Sequence, residues 1–214
     1  PALVAGHSLG EYTALYVAGV FDWATGLQLV KARAELMDSA AGGKMVALIG
    51  FDREQLDAKI AQTSNVVLAN DNSSAQVVIS GTPEAVEALL PQIKVKRAIP
   101  LNVSGAFHSP LMAEAANQFQ EILAPVQFNN ATIPVMSNVD PIPSTEAQIL
   151  KKRLIEQMTG SVRWREISEQ LLNQGIEKVL EIGHGTVLTG LIKRTCPTLK
   201  LENISSAETV LSAQ

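Results

Sequence analysis

A chain of 214 residues, 46 % hydrophobic and 18 % charged, is long enough for one sizeable domain, or a domain with a small insert, and apolar enough to bury a core. Its net charge of −4 argues against a general nucleic-acid binder. The single cysteine, Cys196, excludes an internal disulfide and suits a reducing compartment, no apolar run reaches the ~18 residues of a membrane span, and no signal peptide is read, so a cytoplasmic protein with no membrane partner is expected.

The chain opens on an apolar strand ending at Ala5, then Gly6-His7-Ser8-Leu9-Gly10, then a helix over 11–19 with Leu15 and Ala18 inward. Asp22 is the expected N-cap of a second helix from Trp23 to Asp38, broken by Gly42-Gly43. Strands over 45–50, 66–69, 75–80 and 96–101 alternate with helices over 53–62 and 83–92. That β-α-β-β-α-β order is ferredoxin-like, with Asn70-Asp71-Asn72-Ser73-Ser74 as its central hairpin loop. Beyond it come a helix over 110–123, a strand over 133–137, a helix within 145–158 and a helix over 162–174 capped by Gly175. A strand over 178–182, the Gly183-His184-Gly185 loop, a short helix over 187–194 and a last strand over 199–204 complete the pattern. The alternation defines an α/β protein: a large subdomain from residues 1–44 and 102–214, and an inserted ferredoxin-like small subdomain over 45–101.

The first motif fits Gly-x-Ser-x-Gly, the nucleophile elbow. Ser8 falls on the sharp strand-to-helix turn, its hydroxyl exposed by a strained backbone. Gly6 and Gly10 lack a Cβ, so strand and helix can approach closely there. The helix N-terminus directs N–H groups at the site, where they favour developing negative charge.

A serine nucleophile needs a base. Of the three histidines, His7 adjoins the nucleophile and reads as a packing or supporting residue, and His184 as a turn residue. His108 lies in a loop just before a helix, where a functional side chain is readily presented, and is the favoured base. No acid stands out as a third member: Asp140, Glu156 and Glu181 are candidates by position only, and a backbone carbonyl could orient the imidazole instead.

Arg33 is the sharpest clue to substrate. At ~100° per residue, Gln28, Lys31, Glu35 and Asp38 share one helix face, while Leu29, Val30, Leu36 and Met37 lie on the other, and Arg33 points into the apolar side. A buried guanidinium is costly without an anion. It either forms a structural salt bridge or holds a substrate carboxylate through two parallel hydrogen bonds.

Ala5-Gly6-His7-Ser8-Leu9-Gly10-Glu11, Arg33 and Gly105-Ala106-Phe107-His108-Ser109-Pro110-Leu111-Met112, taken together, resemble the malonyl-CoA:acyl carrier protein transacylases. Asn138-Val139-Asp140, Gln157, Val162-Arg163-Trp164, Glu181-Ile182-Gly183 and Val187-Leu188-Thr189-Gly190-Leu191 continue the match over essentially the whole chain. The resemblance implies a hydrolase-like large subdomain with a parallel sheet and a ping-pong acyl transfer in fatty-acid or polyketide synthesis. Ser8 would attack the malonyl thioester, His108 would take its proton, and the acyl group would pass to the phosphopantetheine thiol of holo acyl carrier protein. Arg33 would pair with the malonyl carboxylate, the Leu9 N–H would donate to the oxyanion, and the Gln157 backbone carbonyl would orient His108. Phe107 would crowd an α-methyl group and so select malonyl units. The resemblance implies a monomer, and no metal or cofactor is expected.

Two departures stand out. A Gly-Gln-Gly segment of the family, which supplies a second oxyanion donor and part of the core, has no counterpart here. The chain is therefore expected to be an N-terminally truncated piece of such an enzyme, its parallel sheet incomplete. His184 stands where the family commonly has Pro. A serine esterase or thioesterase would share elbow and base, but a neutral ester offers Arg33 no partner. A third reading is an inactive remnant that only binds carrier protein.

Overall fold

The structure is a computed structural model and describes residues 1–212. Its first half runs β1 (Val4–Ala5), α1 (Gly10–Val17), α2 (Trp23–Ser39), β2 (Lys44–Phe51), α3 (Arg53–Gln62), β3 (Val66–Ser73), β4 (Gln76–Gly81), α4 (Pro83–Leu89) and β5 (Val95–Pro100). There follow α5 (Ala113–Leu123), β6 (Val135–Met136), α6 (Ala147–Glu156), α7 (Trp164–Asn173), β7 (Lys178–Ile182), α8 (Val187–Thr195), β8 (Lys200–Ile204) and α9 (Ala207–Ser212).

Helix starts follow from short polar side chains that satisfy otherwise unpaired N–H groups. Asp22 accepts from Thr25 N at 2.7 Å to open α2, and Asp52 accepts from Gln55 N at 2.9 Å to open α3. Thr82 caps α4, with Pro83 in its first turn, where the missing N–H costs nothing.

The small subdomain is a four-stranded antiparallel sheet in the order β3-β4-β2-β5. Period-two alternation sorts its side chains. Val46 and Leu48, with Val77 and Ile79, bury themselves against Leu56 of α3 and Val86 and Leu89 of α4. Met45, Ala47, Ala69 and Val78 line the other face, where Phe107 of the large subdomain packs. In the large subdomain the pairings between described strands are parallel, β1 with β6 and β7 with β8, and Val135 of β6 adds an isolated antiparallel bridge to Ser144. Tyr12, Leu15, Leu29, Phe119, Leu123, Leu150 and Leu154 join α1, α2, α5 and α6 in one core. Fully burying side chains of this size is worth about 1.5–3 kcal/mol each.

The expected hairpin loop over 70–74 is instead the second half of β3, which runs to Ser73. Asn70, Asp71, Asn72 and Ser73 are buried, and the register shifts twice along them. Their polar groups are affordable inside because the large subdomain supplies partners. Asp71 N donates to Val162 O at 2.9 Å, and Val162 N donates to Ala69 O at 2.8 Å. Asp71 accepts from Arg53 and Arg165, and Asn72 bonds His7. Since Val162 is engaged with β3, the helix expected from 162 starts at Trp164. The expected strand over 133–137 shortens to Val135–Met136, and Pro110–Met112 forms a 3-10 turn ahead of α5.

Candidate active site

The elbow depends on Gly6. A Cβ there would lie 2.0 Å from the backbone C and O of Gly10, so no other residue fits. Gly10 behaves otherwise: a Cβ at that position meets nothing within 4 Å, so the close approach expected of both glycines is the work of Gly6 alone.

Ser8 has φ +50° and His108 has φ +57°, and only Asn65 shares a positive φ among the described residues other than glycine. Such conformations cost roughly 1–3 kcal/mol each and persist where surrounding bonds over-determine them. At Ser8 the N–H donates to Asn138 Oδ1 at 2.6 Å, while the carbonyl accepts from Glu11 N at 3.1 Å and Gln157 Nε2 at 3.0 Å. Beside His108, Ser109 Oγ donates to Ala106 O at 2.6 Å and accepts from Leu111 N at 3.2 Å, closing the loop before α5.

His108 is buried, with Nε2 2.8 Å from Ser8 Oγ and Nδ1 2.9 Å from the Gln157 carbonyl oxygen. A carbonyl only accepts, so Nδ1 carries the proton and Nε2 presents its lone pair to the Ser8 hydroxyl. Burial pushes the imidazole pKa down to about 4; the neighbouring Arg33 charge adds to this, and the Gln157 carbonyl opposes it. The imidazole is therefore neutral at neutral pH, with its Nε2 lone pair free to accept a proton.

Arg33 is 6 % exposed on the apolar side of α2, in register with Leu29 and Met37. One amino group donates to Ser8 Oγ at 2.8 Å and to Gln157 Oε1 at 3.4 Å, and the guanidinium lies 5.7 Å from the centre of the Tyr12 ring. Its buried Nε has no partner, and among the described residues no carboxylate lies within 4.0 Å of it. Burial lowers its pKa, against the pull of Tyr12 and Glu11. Ser8, Arg33 and Phe107 line an open groove of about 660 Å3 that continues past Met37 to Asp38 and Ser104. The half-buried Phe107 forms its wall, wedged between the small sheet and the core of the large subdomain. The Leu9 N–H, at the N-cap of α1, has no acceptor among the described residues, and the Leu9 side chain is half exposed.

The remaining candidates lie elsewhere. Asp140 pairs with Arg153, and the exposed Glu156 with Lys152 at 3.7 Å. Glu181 accepts from Leu188 N at 3.1 Å and Thr189 N at 2.7 Å, capping α8. His184 is exposed in the loop after β7. His7 Nε2 donates to Asn72 Oδ1 at 2.8 Å with its ring 5.4 Å from that of Trp164, and burial lowers its pKa. Sequence reasoning assigned no role to Asn138 or Glu11, which hold the elbow from beneath. Asn138 Nδ2 donates to Gly6 O at 2.7 Å. Glu11 is fully buried, its Oε2 accepting from Asn138 N at 3.1 Å and Gln157 Nε2 at 2.7 Å. An acid in a first helical turn is so ordinary that nothing in the sequence marked it.

A serine hydroxyl held between a neutral imidazole and an unpaired guanidinium, on a strand-to-helix elbow of an α/β fold, defines a serine acyltransferase site. The chain belongs to the acyl transferase family, whose domain matches residues 1–213. It is 58 % identical, over 97 % of its length and 71 % of the relative's, to a malonyl CoA-acyl carrier protein transacylase of Synechocystis. The crystal structure of malonyl-CoA:ACP transacylase from Synechocystis superposes with a TM-score of 0.97 at 57 % identity, covering 99 % of this chain and 72 % of that one. A malonyl-transacylase solved in complex with its type II polyketide acyl-carrier protein gives a TM-score of 0.95 at 39 % identity over all of this chain and 72 % of its own.

Proposed function

We propose that this chain transfers a malonyl group from malonyl-CoA to the phosphopantetheine thiol of holo acyl carrier protein through a malonyl-Ser8 intermediate. One observation carries the reading: Ser8 Oγ lies 2.8 Å from His108 Nε2 and 2.8 Å from a buried Arg33 amino group that has no carboxylate partner. His108 Nε2 accepts the Ser8 proton as Oγ attacks the thioester carbonyl. The Gln157 carbonyl stabilises the resulting imidazolium through Nδ1–H. Collapse of the tetrahedral intermediate expels the CoA sulfur, which leaves with the proton from His108. The carrier thiol then repeats the sequence on malonyl-Ser8. The Leu9 N–H donates to the oxyanion, a contact worth about 3–4 kcal/mol of barrier for donors of this kind. Arg33 holds the malonyl carboxylate, and Phe107 excludes an α-methyl substituent.

The setting is fatty-acid or polyketide synthesis, the latter supported by the relative solved with a type II polyketide acyl-carrier protein. A monomer is proposed, divided into residues 1–44 with 102–214 and residues 45–101. A cytoplasmic location suits the single thiol at Cys196; among the described residues no helix is long and apolar enough to cross a membrane. Intact mass after mixing with malonyl-CoA tests the reaction. A malonyl adduct is expected in the native chain, absent in Ser8→Ala and discharged by holo carrier protein. Release of free malonate with no transfer to carrier protein would instead make the chain a hydrolase.

A further inference from the structure

We infer that Glu11 is a positioning residue that fixes the nucleophile and the base relative to each other. The inference rests on the acyl-transfer reading and extends it to a buried group that touches no reacting atom. A carboxylate with no exposed surface, one oxygen of which has no hydrogen-bond partner, is a costly thing to keep in a core. Burial raises its pKa, and the Gln157 amide and Asn138 N–H oppose that rise.

What the single oxygen Oε2 does explains its presence. It gathers Asn138 N at 3.1 Å and Gln157 Nε2 at 2.7 Å, two donors from segments 19 positions apart in sequence number. On one side, Asn138 then directs Oδ1 at the Ser8 N–H and Nδ2 at Gly6 O, gripping both ends of the elbow. On the other, Gln157 presents its backbone carbonyl to His108 Nδ1 and its side-chain oxygen to Arg33, while Nε2 also reaches Ser8 O. Nucleophile, base and guanidinium sit on the turn before α1, on a loop and on α2, which among the described residues share no strand pairing at the site. The Glu11 carboxylate is where their supports converge. A shift of about 1 Å in such supports is enough to cost a hundredfold in rate.

The test uses Glu11→Gln, whose amide oxygen can replace Oε2 without its charge, and Glu11→Ala, which leaves both donors empty. Three readouts are compared with the native chain: the rate constant and apparent Kd for Ser8 malonylation, Ser8 labelling by an uncharged fluorophosphonate, and thermal unfolding. Glu11→Gln is expected to stay folded, to lose about tenfold or more in the malonylation rate constant at unchanged Kd, and to lose the same factor in labelling. Glu11→Ala falls further in both. Native rates in Glu11→Gln, a loss confined to Kd, or losses that only track the unfolded fraction would overturn the proposal. Should Glu11→Gln not fold, Gln157→Met carries the test: it keeps the carbonyl facing His108 but breaks the link to Glu11, so unimpaired labelling overturns the idea. A native chain that neither labels nor malonylates at Ser8 would overturn the acyl-transfer reading itself.

Discussion

Two arginines are buried to nearly the same extent in this molecule, Arg33 at 6 % exposure and Arg153 at 8 %, and they serve different ends. Arg153 has both amino groups occupied: one is paired with Asp140, the other donates to Ile142 O at 2.7 Å. Arg165 is likewise occupied, shared between Asp71 and Glu169. Arg33 touches only neutral oxygens and leaves Nε without a partner. Burial of a guanidinium is therefore no sign of a binding site by itself. The sign is an unfilled valence beside a nucleophile, because the anion that compensates the charge must then come from outside.

The comparison breaks most easily at Arg33. Arg33→Ala is expected to cut malonylation relative to acetylation by about 2–4 kcal/mol, roughly 30- to 1000-fold, since the malonyl carboxylate then enters the groove without its cationic partner. Arg153→Ala should lower the melting temperature, leaving Asp140 without its partner, yet keep the malonyl preference. Competition between malonyl-CoA and acetyl-CoA, read by intact mass, separates the two. Loss of preference in Arg153→Ala, or its survival in Arg33→Ala, would end the distinction.

A second difference is electrostatic and smaller. The Arg33 charge acts on His108, adding to the burial that brings its pKa to about 4. The base works only when neutral, so a lowered pKa extends activity toward acid. The acylation rate of the free enzyme should stay level from pH 8 to pH 5 and fall only near pH 4. At pH 5 an ordinary imidazole of pKa ~6.5 would be only about 3 % neutral, so the native profile should exceed that case by about 30-fold. An acid limb near pH 6.5 would refute the lowered pKa. In Arg33→Ala the limb should move upward, and in Arg153→Ala it should not.

How much of this was legible in the sequence depends on whether the cause was local. Asp22, Asp52 and Thr82 cap helices through groups three residues away, so α2, α3 and α4 could be read directly. The inward turn of Arg33 followed from helical periodicity, which is again local. The 70–74 segment was misread because its polar composition is that of a turn, while its partners Arg165, Val162 and His7 lie more than sixty positions away. Glu11 and Asn138 were passed over for the same reason: their bonds span 127 and 130 positions. The single elbow glycine that matters, Gly6, could not be told from Gly10 by motif alone, because what distinguishes them is which neighbour a Cβ would strike.

The smallest expected effect sharpens the comparison at the other end of the substrate. If Arg33 fixes the carboxylate, the proposed gate Phe107, which lines the same groove, would face the carbon between carboxylate and thioester. Its half-buried ring packs against the small-sheet cluster of Met45, Ala47, Ala69 and Val78 and against the core of the large subdomain, which limits its freedom to move aside for a substituent. One methyl group in an apolar pocket is worth about 1–3 kcal/mol, so Phe107→Ser should raise methylmalonyl loading relative to malonyl by about tenfold. It should leave the preference for malonyl over acetyl intact, since the guanidinium is untouched. Paired competitions with the three thioesters read both selectivities at once. If Phe107→Ser altered the carboxylate preference and not the α-methyl preference, the ring would be a support for Arg33 rather than a gate.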